Sequence, residues 1–78
     1  MTHEELAVVA TLSPQQHRAM RLVCAGRTWE EVARELGLGY GSMKTVRNRI
    51  YHKLGLTGLA RPAIRAAYIY GQWQARQL

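Results

Sequence analysis

With one cysteine, Cys24, among 78 residues, the chain cannot form an internal disulfide, which agrees with a reducing compartment. Phenylalanine and aspartate are absent, and all five acids are glutamates, none beyond Glu35. No apolar run approaches the roughly 18–20 residues of a membrane span. The opening Met1-Thr2-His3-Glu4-Glu5 lacks the basic-then-apolar plan of a signal peptide, so an intracellular, cytoplasmic protein is expected. No stretch alternates apolar and polar residues between turn dipeptides, so strands are not expected. His3, His17 and His52 lack the spacing of metal ligands. No nucleophile–base–acid set is present, and no glycine-rich phosphate loop follows a strand. These absences argue against an enzyme, a metal site, a cofactor and a small-molecule ligand. A chain this short buries only about 60% of its unfolded surface, which limits it to one small domain with a modest core.

The charge that is present is unevenly placed. Lys and Arg number 11 against five Glu, giving a formal charge of +6 and an isoelectric point near 10.3. Residues 1–35 hold four arginines and all five glutamates; residues 36–78 hold seven basic residues and no acid. A solvated structural surface mixes the signs. One-sided charge of this kind points to a polyanion, nucleic acid ahead of a membrane surface.

Glycines punctuate the chain into short helices. Ser13-Pro14-Gln15-Gln16 has a capping serine, a proline suited to the first helical position, and a glutamine where a capping box wants Glu or Gln. The helix it opens runs to about Ala25, with Ala19, Met20, Val23 and Cys24 inward, and stops at Gly26. Cys24 there reads as a small core hydrophobe. Thr28-Trp29-Glu30-Glu31 is a second capping box and leads a helix to Leu36 and Gly37. A third candidate, Thr2-His3-Glu4-Glu5, opens a helical turn or two before Leu12. After Gly37-Leu38-Gly39, a helix from Tyr40 or Gly41 to Leu54 carries Met43, Val46, Ile50 and Leu54 on one stripe. Its opposite face collects Gly41, Lys44, Thr45, Asn48, Arg49 and His52, with Arg47 and Tyr51 at the edge of the stripe. A last helix starts near Arg61-Pro62 and runs to about Tyr70, with Gly71 near its end. The expected organisation is an N-terminal extension over 1–11, a domain over 12–71 and a tail over 72–78.

Two short helices joined by Gly37-Leu38-Gly39, the second basic on its exposed side, describe a helix-turn-helix. Lys44, Thr45 and Asn48 lie along one line in its first turns, where recognition helices read bases. Residues 12 to 56 resemble the LuxR/FixJ/GerE-type DNA-binding domain. The resemblance rests on Leu12-Ser13-Pro14, on Leu22-Val23 with Gly26, on Trp29 to Leu36 with Glu31 at the family's glutamate, on Ser42-Met43-Lys44-Thr45-Val46, and on Ile50 to Leu56. It implies an all-α, four-helix domain: a homeodomain-like or winged-helix-like three-helix core, whose third helix enters the major groove, plus a C-terminal dimerisation helix. It also implies that Lys44, Thr45 and Asn48 face base edges, and that Thr28, Trp29, Ser42, Arg47 and His52 approach phosphates. Three positions depart from the family: Gly39 replaces a capping Ser, Val46 replaces a frequent His, and the usual Arg/Glu pair after Leu56 is missing. The 11 residues ahead of Leu12 are too few for a receiver domain, so the chain resembles the stand-alone type.

Each residue carries a plainer alternative. The basic face of Lys44, Arg47, Arg49 and Lys53 either meets phosphates or is a solvated helix face, and Arg47 either contacts DNA or snorkels. Tyr40 either stacks on sugar-phosphate or packs on the turn. Trp29 either approaches a phosphate or is a half-buried structural residue. In the last helix, Ile64, Ala67, Tyr68 and Gly71 make one stripe and Ala63, Ala66, Tyr70 and Trp73 another. One covers the core; the other takes a second copy, a folded-back tail or water, unless Tyr70 and Trp73 simply close the core, and a homodimer is the reading preferred. The reading is a transcriptional regulator of a bacterium or its phage, binding double-stranded DNA at the nucleoid as a dimer on an inverted repeat. The rivals are a sigma region-4-like module contacting RNA polymerase and an adaptor or anti-activator that occupies another transcription factor. A membrane-surface role finds no spare apolar face.

Overall fold

The computed structural model of the protein describes the backbone of residues 3–77 and the side chains of residues 6–77. It contains α1 (His3–Ala10), α2 (Pro14–Cys24), α3 (Trp29–Leu36), α4 (Tyr40–Lys53) and α5 (Pro62–Arg76), with no strand among the described residues. The helices start where the sequence provides caps. At α2, Ser13 Oγ accepts from the Gln16 amide at 3.2 Å while Gln16 Oε1 accepts from the Ser13 amide at 2.8 Å. At α3, Thr28 and Glu31 repeat the reciprocal pair at 3.2 and 3.0 Å. Each box satisfies two amide donors that a helix start would otherwise leave to water. Gly37 ends α3 in the left-handed conformation at φ +68°, the backbone state least costly for glycine. Gly39 gives α4 no side-chain cap.

The core is built from residues far apart in the chain. Val9, Ala19, Met20, Val32, Ile50, Ala66 and Tyr70 are fully buried, with Leu12, Met43 and Leu56 packed among them. The helix pairs in contact are α2 with α5, α1 with α5, α3 with α4, and α2 with α3. The principal extents are 34 × 29 × 20 Å. Cys24 is half-buried: its Sγ donates to the Ala67 carbonyl at 3.5 Å, and burial raises its pKa. A protonated thiol in that position is a packing group rather than a nucleophile.

The short helix expected before Leu12 is α1, which packs on α5 and buries Leu6 and Val9; the Thr2 start proposed for it lies outside the described residues. The other end of the expected outline differs. The segment expected as a tail from residue 72 is helical to Arg76. Gly71 keeps a negative φ, so it continues α5 instead of ending it. Trp73, half-buried, packs on Tyr70 and His17 with centroids 5.5 and 5.1 Å away. That contact rewards the extra turns. Ile69, absent from both expected stripes of α5, is buried with Ala66 and Tyr70, while Ile64 and Tyr68 face outward.

Candidate nucleic-acid interface

Helix α4 divides cleanly by burial. Met43, Val46, Ile50 and Tyr51 are buried against the core, while Gly41, Ser42, Lys44, Thr45, Asn48, Arg49, His52 and Lys53 are exposed. The exposed face holds no carboxylate. Base-edge candidates Lys44, Thr45 and Asn48 therefore stand together on the solvent side, one helical turn apart. Thr45 Oγ1 donates to the Gly41 carbonyl at 3.2 Å, which leaves its lone pairs free to accept. Arg47 is half-buried at the edge of the face.

A groove runs along each flank of α4. The first, about 310 Å³, lies between the start of α3 and the first half of α4, and brings together Thr28, Trp29, Tyr40, Lys44 and Arg47, with Glu30 at its rim. Tyr40 is 71% exposed, so it does not pack on the turn. Thr28 is committed to its capping box, its oxygen accepting from the Glu31 amide. The second groove, about 930 Å³, lies on the other flank and includes Thr45, Asn48, Arg49, His52 and Lys53. Ser42 is exposed in the first turn of α4.

Trp29 takes the structural arrangement. Its indole N–H donates to the Tyr51 hydroxyl at 2.8 Å, and the rings meet edge to face at 5.9 Å. Burial raises the Tyr51 pKa, with the Trp29 hydrogen bond and Arg47 acting in the opposite sense. The hydroxyl thus remains protonated at neutral pH and clamps α3 to α4. Sequence reasoning placed Tyr51 only at the edge of the core stripe. Its partner lies 22 residues away, and no local pattern reports such a pair.

Two of the three acids of α3 pair with Arg27, while Glu30 lines the smaller groove. Arg27 Nη1 lies 3.6 Å from Glu31 Oε2, and Arg27 Nη2 lies 3.4 Å from Glu35 Oε1. The Thr28 amide and hydroxyl hold the Glu31 carboxyl below its usual range, with Arg27 adding to the effect. Exposed pairs of this type add little stability, but they spend negative charge away from α4. No group of three or more His, Cys, Asp or Glu that could hold a metal occurs among the described residues. No described helix is long and apolar enough to cross a membrane.

An exposed basic helix, set by a glycine turn on a preceding helix and flanked by two grooves, defines a helix-turn-helix DNA-binding domain. The model of the family described as bacterial regulatory proteins, luxR family (GerE) matches residues 10–66. The match spans well over half the chain, and the protein belongs to that family. It is a DNA-binding regulatory domain of all-helical fold. No curated protein and no solved structure matches the chain.

Proposed function

We propose that the protein is a sequence-specific transcriptional regulator that reads the major groove with α4 and acts as a homodimer on an inverted repeat. The observation that carries this reading is the exposed, acid-free face of α4, with Lys44, Thr45 and Asn48 in line between two grooves. Residue chemistry supplies the roles. Lys44 suits the O6 and N7 acceptors of guanine, Asn48 pairs with adenine in bidentate fashion, and the Thr45 methyl suits a thymine methyl. Phosphates on one flank would meet Thr28, Tyr40 and Arg47, with Trp29 as a wall whose N–H is already committed to Tyr51, and Ser42 would meet one beside the first turn of α4. Those on the other flank would meet Arg49 and His52. Such contacts fix the register and provide salt-sensitive affinity, while the base contacts provide selectivity.

The dimer reading rests on α5. Ile64 and Tyr68 are 65% and 54% exposed, Arg65 stacks over the Tyr68 ring at 5.6 Å, and Ala67 and Gly71 lie alongside, half-buried. Two copies joined here would address half-sites one helical turn, about 10 base pairs, apart. The protein would then work where chromosomal DNA is, at the nucleoid. The test is Asn48→Ala in competition binding. It should lower discrimination between a preferred and a random duplex by about 1–3 kcal/mol and leave random-duplex binding nearly intact. Equal losses on both duplexes would contradict the role given to Asn48.

A further inference from the structure

Helix α4 is anchored unequally at its two ends. Its start follows Gly37-Leu38-Gly39 and has no side-chain cap, because Gly39 offers none. Near its far end, the Tyr51 hydroxyl accepts from the indole N–H of Trp29, the first residue of α3, at 2.8 Å. The two rings meet edge to face at 83°. An indole has one N–H donor and no acceptor, so Tyr51 takes up the whole hydrogen-bonding capacity of the Trp29 side chain. Trp29 lines the smaller groove and Tyr51 the larger, so the pair links the two flanks of α4. Lys44, Thr45 and Asn48 fall between the turn and this bond. Met43, Val46 and Ile50 also hold α4 to the core, but apolar contact is non-directional, whereas a hydrogen bond constrains both distance and angle.

Asn48 lies nine positions beyond Gly39, roughly 13 Å along the helix axis. A swing of about 10° about the turn would carry it roughly 2 Å, whereas a recognition side chain must be held within about 0.5 Å of its working position. Hydrogen bonds to base edges need that alignment. Attraction to the phosphate backbone is independent of sequence and does not. We propose that the Tyr51 hydroxyl is a positioning group for sequence recognition: through its bond to Trp29 it fixes the tilt of α4 on α3, and with it the alignment of Lys44, Thr45 and Asn48 to base edges. The proposal rests on the reading of α4 as the DNA-reading helix. Tyr51 acts through the helix and needs no contact with a base.

The experiment measures binding of the full chain to a duplex selected from a random library and to a random-sequence duplex, with thermal unfolding in the same buffer. Tyr51→Phe keeps the ring and removes the oxygen. It should lower the ratio of the two affinities about tenfold and leave random-duplex binding within about twofold of wild type. Trp29→Phe should lower the ratio by the same factor. The double variant should lose no more than either, since all three lack the same bond. Tyr70→Phe controls for lost stability. It removes the hydroxyl paired with His17 between α2 and α5 and should keep the wild-type ratio whatever its melting temperature. A ratio unchanged in Tyr51→Phe, or lowered equally in Tyr70→Phe, would reduce the bond to a contribution to folding and overturn the positioning role while α4 still reads sequence. A wild type that does not distinguish the two duplexes would remove the underlying reading and the role with it. Should Tyr51→Phe fail to fold, Trp29→Phe decides on the same ratio.

Discussion

His17 joins two helices through one imidazole. Its Nδ1 lies 2.9 Å from the Tyr70 hydroxyl, and that hydroxyl donates to the His17 carbonyl at 3.3 Å. At the shorter contact the imidazole tautomer decides which group donates, Nδ1 or the Tyr70 hydroxyl. Burial, followed by the charge of Arg21, lowers the His17 pKa from 6.5. Because the folded value lies below the unfolded one, the unfolded chain binds the proton more readily. The contribution is complete above pH 6.5 and is lost as pH falls from there through the folded pKa. The melting temperature should therefore drop more between neutral and mildly acidic pH in the wild type than in His17→Asn. Parallel profiles would show that His17 does not carry the change. The pairing was not legible in the sequence, where His17 registered only as a histidine without metal-ligand spacing. Its partner is 53 residues away. Lys53 with Gln16, 37 residues apart, was hidden for the same reason. Lys44, Thr45 and Asn48, by contrast, needed only the helical period to be placed together on the exposed face of α4.

At the scale of the element, helix starts depend on hydrogen bonds that span three residues, which is why the caps of α2 and α3 could be read directly from Ser13, Gln16, Thr28 and Glu31. The span of α4 was legible from its apolar stripe. The N-terminal helix and the last turns of α5 depend instead on tertiary contacts, Leu6 and Val9 against α5, and Trp73 against His17. Glycine at position 71 suggested a stop because it permits one, although nothing local required it. Gly39 offers the converse test. Its φ of −71° and ψ of 165° suit a serine N-cap, and an added Cβ meets nothing within 4 Å. Gly39→Ser should stabilise the fold by a few tenths of a kcal/mol, a rise of about 1–3 °C in melting temperature. A lower melting temperature would show that Ser cannot cap α4 in this turn.

For the whole molecule, the charge and the exposed apolar side chains fall on two different helices. The exposed side of α4 carries positive charge without acids, and α5 exposes Ile64 and Tyr68. Placing a carboxylate on the exposed face of α5 should separate dimerisation from DNA contact. Ile64→Glu, on an exposed position, should leave the unfolding free energy within about 0.5 kcal/mol of wild type. In sedimentation on a duplex holding two half-sites, it should abolish cooperative loading of the second copy and keep half-site affinity. Cooperative loading that survives would place the dimer contact elsewhere, whereas a face used by a different protein would show no second copy even in the wild type.

Whether α4 reads sequence is settled by selecting bound molecules from a random duplex library at moderate salt with the purified chain. An enriched inverted repeat with half-sites about 10 base pairs apart is expected. A bound pool with no enriched sequence, held only by salt-sensitive attraction, would show that α4 does not read bases.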